Sequence, residues 1–198
     1  MSGDATLSAR IRRCAQIVGS GNALARKTGI PRSTLETYIS GNVEPIARRL
    51  VTLARAAGVS VEWLATGEGP SAGIPKDAVS TGPAEFRQRV ALIAKLVGGP
   101  IELARFSKMS RPAIDKYTAG TADPSRARLV ALARAAGVSV AWLATGEGPM
   151  ALDTHRHDAT AEDPDDDPRT PPSKSLVVRA LARLFRAVLL EALRREQS

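Results

Sequence analysis

Apolar side chains recur at helical spacing through most of the first 149 residues, with polar residues in the positions between them. In the first such stretch Leu7, Ile11, Ala15 and Val18 share one helical face, which ends at the glycine-rich run that follows. No segment alternates apolar and polar residues as a half-buried strand does. The pattern therefore predicts an all-α fold.

Glycine, proline and serine residues at the breaks divide the first 70 residues into five helices. We expect a second helix that ends at Gly29 in a left-handed turn, and a third that covers Pro31 to Ile39. A fourth is predicted to begin with Pro45 in its first turn and to end at Gly58. Ser60 is the predicted N-cap of a short fifth helix.

A long internal repeat is the strongest pattern in the chain. Residues 49–70 and 128–149 are identical at 20 of 22 positions, at an offset of 79 residues. The two differences are Thr52 against Ala131 and Glu62 against Ala141. The same offset aligns the residues upstream without a gap. A period of this length that occurs only twice indicates duplicated domains rather than a solenoid.

The repeat and the changes in composition predict how the chain is organised. We expect a first five-helix domain at residues 1–70, a flexible Gly/Pro/Ser-rich linker at 71–83 and a second five-helix domain at 84–149. Residues 150–173 are acidic and proline-rich, which predicts a disordered linker, and residues 174–198 have the pattern of one amphipathic helix. The sequence leaves open whether the two near-identical blocks pack against each other.

Charge is distributed unevenly along the chain. The formal net charge of +8 divides into +9 over residues 1–149, −5 over 150–172 and +4 over 173–198. The basic body favours a polyanionic partner. Cys14 is the only cysteine, which excludes an intrachain disulfide and a thiolate metal cluster, and we expect it in the core. Without a signal-like or membrane-spanning apolar run, we expect a cytoplasmic protein with no membrane partner.

The apolar face of the predicted C-terminal helix requires burial. Self-association into a homo-oligomer is the favoured interpretation, and packing on the protein's own domains or at a membrane surface are the alternatives. The residues assigned to the oligomer contact are Val177, Leu181, Leu184, Phe185 and Val188.

Two segments carry a resemblance to a known family. The stretch LARKTGIPRSTLETYISGNVEP, residues 24–45, resembles the helix-turn-helix of the lambda-repressor-like (Xre) family. The following GVSVEWLATGEGP, residues 58–70, is similar to the end of the phage CI-type repressor domain, and both features recur in the second repeat. The resemblance implies two tandem lambda-repressor-like domains that bind double-stranded DNA and regulate transcription. It implies adjacent half-sites in the major groove, one for each unit.

The resemblance also assigns residues to the DNA contact, counted from the turn at Gly29. The base-reading positions are Arg32, Ser33, Glu36 and Thr37 in the first unit and Arg111, Pro112, Asp115 and Lys116 in the second. The phosphate contacts are assigned to Asn22, Asn42, Arg48, Arg49, Arg126 and Arg128. An alternative for Ser33 and Glu36 is a capping box, which would hold both side chains at the start of the helix.

The sequence departs from the family at the turn and at the start of the second helix. Related repressors often have a glutamine where this chain has Gly21 and Pro100, and that glutamine braces the recognition helix against phosphate. This brace is missing here. The second repeat has Lys108 in place of the turn glycine. Because the third helices of the two repeats differ, either they read different half-sites or the second has acquired a positioning or protein-binding role.

Other classes of function were weighed against DNA binding. No metal-ligand spacing, phosphate loop or acid–base pair points to an enzyme, so we expect no catalysis, no metal and no cofactor. A protein-interaction module, such as an antirepressor or antitoxin, is the main alternative, and a protein co-regulator is a further expected partner. RNA binding is disfavoured because only 4% of residues are aromatic. The expected origin is bacterial or phage, with nucleoid association.

Overall fold

The computed structural model describes residues 6–73, 82 and 84–151. Within these ranges the chain forms helices connected by short turns, together with isolated bridges and no strand. In chain order the helices are α1 (Leu7–Val18), α2 (Gly21–Thr28), α3 (Arg32–Ile39), α4 (Ala47–Ala57), α5 (Val61–Thr66), α6 (Phe86–Leu96), α7 (Pro100–Ser107), α8 (Arg111–Ala119), α9 (Arg126–Ala136) and α10 (Val140–Thr145). The predicted all-α class and the five helices in each repeat are confirmed.

Most of the predicted C-terminal part lies outside the described residues. This applies to the acidic linker beyond residue 151 and to the amphipathic helix at 174–198. Both repeats lie in one compact unit, Met1–Leu152. The fold can therefore be described for the two repeats and for their contact with each other.

Local capping explains where the helices begin and end. Ser60 accepts a hydrogen bond from the backbone amide of Trp63, as predicted, and Ser139 does the same at the equivalent position. Ser20 caps α2 in the same way. Gly29 ends α2 with φ +69°, a left-handed conformation that glycine adopts without a steric penalty.

The fourth helix begins later than its proline predicted. It starts at Ala47, and Pro45 lies before it in a segment with extended backbone at Ile46. The same is true of the second repeat, where α9 begins at Arg126 rather than at Pro124. The reason is tertiary: both segments form backbone hydrogen bonds to each other, which a helical first turn would prevent.

Each repeat encloses a core of apolar side chains from its five helices. Cys14 is fully buried in this core, as expected. Trp63 and Trp142 are also buried and are therefore packing residues. A Cβ added at Gly82 would lie 2.7 Å from Nε1 of Trp142, so the backbone just before the second repeat runs against that indole.

A buried arginine connects the first and last helix of each repeat. Arg10 donates from Nε to the carbonyl of Leu64 at 3.0 Å and from Nη2 to that of Ala65 at 3.3 Å. Its equivalent, Arg89, binds the carbonyls of Leu143 and Ala144 at 2.8 and 2.9 Å. These carbonyls lie in the last turn of a helix, where no partner within the helix is available.

In the second repeat, the buried guanidinium of Arg89 is removed from solvent. Burial lowers the pKa of the Arg89 guanidinium below its ordinary value, and the negative charge of Glu147 opposes that shift. The guanidinium nevertheless has its polar partners, because Nη1 also donates to the carbonyl of Ala84 at 2.8 Å. Neither Arg10 nor Arg89 was predicted from the sequence to have a structural role. The signal was present, since they are equivalent residues within apolar-periodic stretches.

The two repeats pack against each other through equivalent surfaces. Among the described residues, the main helix contacts between them are made by α4 and α5 of the first repeat and α9 and α10 of the second. At the centre, Ile46 forms an antiparallel bridge with Ser125, which occupies the same position in its own repeat. The amide of Ala47 donates to Pro124 at 2.9 Å, and that of Arg126 donates to Pro45 at 3.0 Å. These reciprocal bonds define a pseudo-two-fold axis.

Ion pairs at the edge of the contact follow the same pseudo-symmetry. Arg55 binds Glu147 at 2.8 Å, and the equivalent pair Arg134 and Glu68 is 3.3 Å apart. The question that the sequence left open is thereby answered: the duplicated blocks form an intramolecular pseudo-dimer. The contact also accounts for where the repeats are most alike, because their near-identical segment includes most of α4 and all of α5.

The first residues of the predicted linker pair back onto their own repeat. Ala72 forms an antiparallel bridge with Val59, and Ala151 does so with Val138. The carbonyl of Ser71 accepts from the amide of Ser60 at 3.0 Å. The described part of each repeat thus extends slightly beyond its last helix.

Candidate nucleic-acid interface

The third helix of the first repeat is held by one face and exposed on the other. Leu35 is fully buried and Tyr38 is 3% exposed, which anchors α3 to the core. Among the predicted base-reading residues, Arg32, Ser33 and Glu36 are exposed and Thr37 is partly buried. The hydroxyl of Thr37 donates to the carbonyl of Thr34 at 2.8 Å, a bond within the helix.

The corresponding helix of the second repeat, α8, is arranged in the same way. Ile114 and Tyr117 are buried. The four predicted base-reading residues are all exposed, namely Arg111, Pro112, Asp115 and Lys116. None of the main helix contacts between the two repeats involves α3 or α8, so the pairing leaves the outer faces of both helices exposed.

An arginine and an acidic residue pair on the outer face of each of these helices. Arg32 Nε lies 3.0 Å from Oε1 of Glu36, and Arg111 Nε lies 2.8 Å from Oδ1 of Asp115. The two pairs occupy equivalent positions four residues apart, where side chains on a helix are neighbours. Each carboxylate therefore orients the guanidinium that precedes it by one turn.

The capping-box alternative for Ser33 and Glu36 is wrong. Helix α3 begins at Arg32, its N-cap is Pro31, and no side chain caps it. Ser33 is thus already inside the helix, and the Glu36 carboxylate bonds to Arg32 instead. Both side chains remain on the exposed face.

Gly21 makes room for the guanidinium of Arg32. A Cβ added at Gly21 would lie 1.5 Å from Nη1 and 2.7 Å from Cζ of Arg32. The arginine from α3 therefore occupies the space that a side chain at the start of α2 would fill. The glutamine typical of that position is absent, and a charged group from the neighbouring helix lies there.

The turn between the second and third helices differs between the repeats in residue type but not in conformation. Lys108 has φ +55° and is the one residue other than glycine with a positive φ among the described residues. It ends α7 in the left-handed conformation that Gly29 has at the end of α2. The second repeat thus retains the turn despite the substitution.

The predicted phosphate-contacting residues fall into three groups. Asn22 and Asn42 are exposed, at the start of α2 and after α3. Arg49 donates to the hydroxyl of Tyr38 at 2.7 Å, and Arg128 donates to that of Tyr117 at 3.1 Å. The remaining two, Arg48 and Arg126, form ion pairs across the contact between the repeats.

The two arginines of the contact differ in exposure. The side chain of Arg48 is 76% exposed although it pairs with Asp123. That of Arg126 is 24% exposed, donates from Nε to Glu44 at 3.1 Å and reaches the carbonyl of Ala65 at 3.2 Å. Neither residue was predicted to lie in a contact between the repeats, because that contact joins residues distant in the sequence.

Other kinds of site find no support in the part of the chain that the structure describes. No group of three or more His, Cys, Asp or Glu residues there is arranged to hold a metal ion. No helix within the same ranges has the length and apolar character needed to cross a membrane.

Comparison with known proteins identifies the domain type. The family model described as the bacteriophage CI repressor helix-turn-helix domain matches residues 9–72, which include α2 to α5 and most of α1. A model described as helix-turn-helix matches residues 100–143, from α7 into α10. Both repeats are helix-turn-helix domains. The predicted resemblance is confirmed to the phage CI repressor domain in the first repeat and to a helix-turn-helix domain in the second.

A curated relative agrees with this assignment. An uncharacterized HTH-type transcriptional regulator of Haemophilus influenzae is 34% identical over 99 residues, which cover 50% of this chain and 36% of that protein. The chain thus spans little more than a third of that relative's length. No solved structure matches the chain significantly. Within each helix-turn-helix, α3 and α8 hold the position of the second helix, which is called the recognition helix.

Proposed function

We propose that the chain is a sequence-specific regulator of transcription that binds double-stranded DNA through both helix-turn-helix domains. The observation that carries this proposal is the pseudo-two-fold pairing of two such domains within one chain, with both recognition helices outside the main contact. A two-fold arrangement of recognition helices matches the symmetry of a duplex with two half-sites. The relative's name as a transcriptional regulator supports the same role.

The exposed residues of α3 and α8 are proposed to read base edges. The closest contact in the Arg32–Glu36 and Arg111–Asp115 pairs is made through Nε. The terminal nitrogens of each guanidinium are the donors proposed for guanine. Orientation by a carboxylate reduces the freedom that an arginine loses on binding. The remaining proposed contacts are Ser33, Thr37, Pro112 and Lys116, whose different chemistry in the two repeats favours an asymmetric pair of half-sites.

Phosphate contacts are proposed for the residues that border these helices. Asn22, Asn42 and Arg48 are exposed, and the arginines bonded to tyrosine hydroxyls, Arg49 and Arg128, are held in fixed positions. Such contacts set the register of a protein on the duplex without reading its sequence. Arg126 contributes least to this proposal because Glu44 and a backbone carbonyl already bind it.

Pairing of the domains within one chain has a consequence for the operator. In related repressors the half-sites lie about one helical turn, roughly 34 Å, apart. Here the reciprocal backbone bonds fix the two units relative to each other, so only one half-site spacing permits both to bind. The second unit then binds at a high effective concentration once the first is in place.

Selection from a random duplex library with the full chain tests this proposal. We expect a bipartite motif, with Arg32→Ala and Arg111→Ala each relaxing a different half and each weakening binding about 10- to 100-fold. Arg134→Ala is the matched control, since it removes an exposed arginine that also pairs with a carboxylate but lies outside the recognition helices. The control should leave the motif unchanged.

Two results would overturn the proposal. One is the absence of any enriched motif, with only nonspecific, salt-sensitive binding. The other is salt-insensitive capture of a protein, which would favour the interaction-module alternative. If only the Arg32→Ala variant changes the motif, the first repeat alone reads bases and the second has a positioning role.

Further partners and location are part of the same proposal. We propose a homo-oligomer formed through the C-terminal segment, with Val177, Leu181, Leu184, Phe185 and Val188 in the contact. We also propose that the protein acts in a bacterial or phage-infected cytoplasm in association with the nucleoid, and that it binds a protein co-regulator. Light scattering of the full chain and of a Leu181→Glu variant tests the oligomer, because the variant should lose mass if that face associates.

A further inference from the structure

Position 62 and its equivalent, 141, lie together on the pseudo-two-fold axis. The Oε2 atom of Glu62 accepts a hydrogen bond from the backbone amide of Ala141 at 3.1 Å. A contact between a residue and its own equivalent in the other repeat occurs only where the axis passes, as it does at Ile46 and Ser125. The side chain at this position therefore faces its counterpart.

Glu62 also binds the serine that caps the facing helix. Its Oε2 atom lies 3.0 Å from Oγ of Ser139, whose hydroxyl in turn accepts from the amide of Trp142 at 3.2 Å. One carboxylate from the first repeat thus bonds to two groups in the first turn of α10. Hydrogen bonds to a charged acceptor are stronger than those between neutral groups.

The second repeat does not reciprocate this contact. Ala141 has no carboxylate to offer Ser60, although Ser60 caps α5 just as Ser139 caps α10. Glu62 and Ala141 form one of only two differences within the 22-residue identical block. The other difference is Thr52 against Ala131. The hydroxyl of Thr52 donates to the carbonyl of Arg48 in its own helix.

We propose that Glu62 makes the contact selective for unlike repeats. Two first repeats paired in the same way would bring two Glu62 carboxylates together at the axis, where like charges repel. Two second repeats would bring two alanines together and lose the bonds to Ser139 and to the amide at 141. The first repeat therefore prefers a second repeat, and the connection between them makes the one in its own chain the nearest partner.

This selectivity addresses a hazard of the duplication itself. A block that is identical at 20 of 22 positions can pair with a copy of itself in another chain, which would join chains end to end. Within that block, a single charged residue on the axis distinguishes the wanted pair from both like pairs.

An exchange of the two residues tests the proposal in the full chain. We expect Glu62→Ala to lower the Tm moderately and Ala141→Glu to lower it more, since the latter adds a second carboxylate at the axis. The double variant Glu62→Ala/Ala141→Glu should recover most of the loss. In it, the pseudo-symmetry presents the new carboxylate to Ser60 and to the amide of residue 62.

The other difference in the block supplies a matched control. Thr52→Ala, Ala131→Thr and their double variant change residues outside the axis, so their effects on Tm should add. For Glu62 and Ala141 the effects should be strongly non-additive. Circular dichroism confirms in each case that the variant has folded.

A second measurement tests selectivity rather than stability. We expect the Glu62→Ala chain to show a larger mean mass by light scattering than the parent as concentration rises, because two first repeats can then pair without bringing two carboxylates together. Association through other surfaces is common to both chains and cancels in the comparison. Additive losses in the exchange experiment, or equal masses for the two chains, would overturn the proposal.

Discussion

Ile46 pairs with Ser125, the residue that has its own position in the second repeat, and the backbone bonds on either side of this bridge are reciprocal at 2.9 and 3.0 Å. Such self-pairing of equivalent positions is the mark of a two-fold interface between identical subunits. Here both halves belong to one chain. The pairing of the two helix-turn-helix domains is therefore intramolecular and does not depend on protein concentration, whereas a dimer of single-domain chains dissociates on dilution.

The ion pair between Glu44 and Arg126 is expected to stabilise this contact. Arg126→Ala removes a guanidinium that is three-quarters buried and bound to Glu44 and to the Ala65 carbonyl, which we expect to cost about 1–3 kcal/mol of unfolding free energy. Chemical denaturation measures this loss of unfolding free energy. Arg134→Ala, at an exposed pair of the same contact, should cost only about 0.2–1 kcal/mol.

A double-mutant cycle separates the pair from its surroundings. Glu44→Gln combined with Arg126→Ala should lose less than the sum of the single changes, because each single change leaves one charged partner unpaired. Equal losses for Arg126→Ala and Arg134→Ala would show that burial of Arg126 contributes nothing to the contact.

The buried arginines that connect the first and last helix of each repeat are expected to contribute more to stability than the ion pairs of the contact do. Arg10→Ala leaves the carbonyl of Leu64 without its donor and that of Ala65 with Arg126 alone, and we expect a loss of about 2–4 kcal/mol. Arg89→Ala should have a similar effect in the second repeat, where the bonds are equivalent. Thermal and urea unfolding measure both.

The exposed Arg12 on the same helix is the matched control for this prediction. Its replacement by alanine should change the unfolding free energy by no more than about 0.5 kcal/mol. The loss of unfolding free energy in Arg10→Lys should fall between those of Arg10→Ala and the Arg12 control. The lysine ammonium retains the charge but lacks the forked guanidinium that reaches two carbonyls. An unchanged free energy of unfolding in Arg10→Ala would show that water satisfies those carbonyls equally well.

Local patterns in the sequence were sufficient to predict the helices and the exposed face of α3. Helix ends follow from short-range chemistry, which is why Gly29 and Ser60 were found in their predicted roles. The burial of Leu35 also follows from helical periodicity. These features depend on residues within a few positions of one another.

Long-range contacts account for what the sequence did not predict. Pro45 was expected inside α4, but its segment bonds to residue 126 instead. Arg126 and Arg48 were expected to contact phosphate, whereas their pairing with Glu44 and Asp123 depends on how the repeats meet. No periodicity within a repeat reports on its packing against the other.

The left-handed turn at Lys108 is expected to carry strain. A residue with a Cβ in this conformation costs about 1–2 kcal/mol, part of which is offset because glycine loses more freedom on folding. We therefore expect Lys108→Gly to raise the unfolding free energy by about 0.5–1 kcal/mol. The reverse change at the equivalent turn, Gly29→Lys, should lower it by a similar amount, and a loss of stability in Lys108→Gly would contradict the prediction.

The space above Gly21 allows the placement of Arg32 to be tested separately from its charge. In Gly21→Ala the added Cβ falls 1.5 Å from the present position of Nη1, so the flexible guanidinium has to move while the backbone stays. Stability should be unchanged or slightly raised, because alanine favours a helix more than glycine does. If Arg32 reads DNA from its present position, affinity for the selected duplex should fall about 10-fold.

Combining the two changes identifies the cause of such a loss. In an Arg32→Ala background, Gly21→Ala should have no further effect on affinity, since the guanidinium that it displaces is already absent. Fluorescence anisotropy with the selected duplex, at one fixed salt concentration, gives all four Kd values. An additional loss in the double variant would instead mean that the Cβ at position 21 obstructs the DNA backbone directly, next to the proposed phosphate contact of Asn22, and does not act through Arg32.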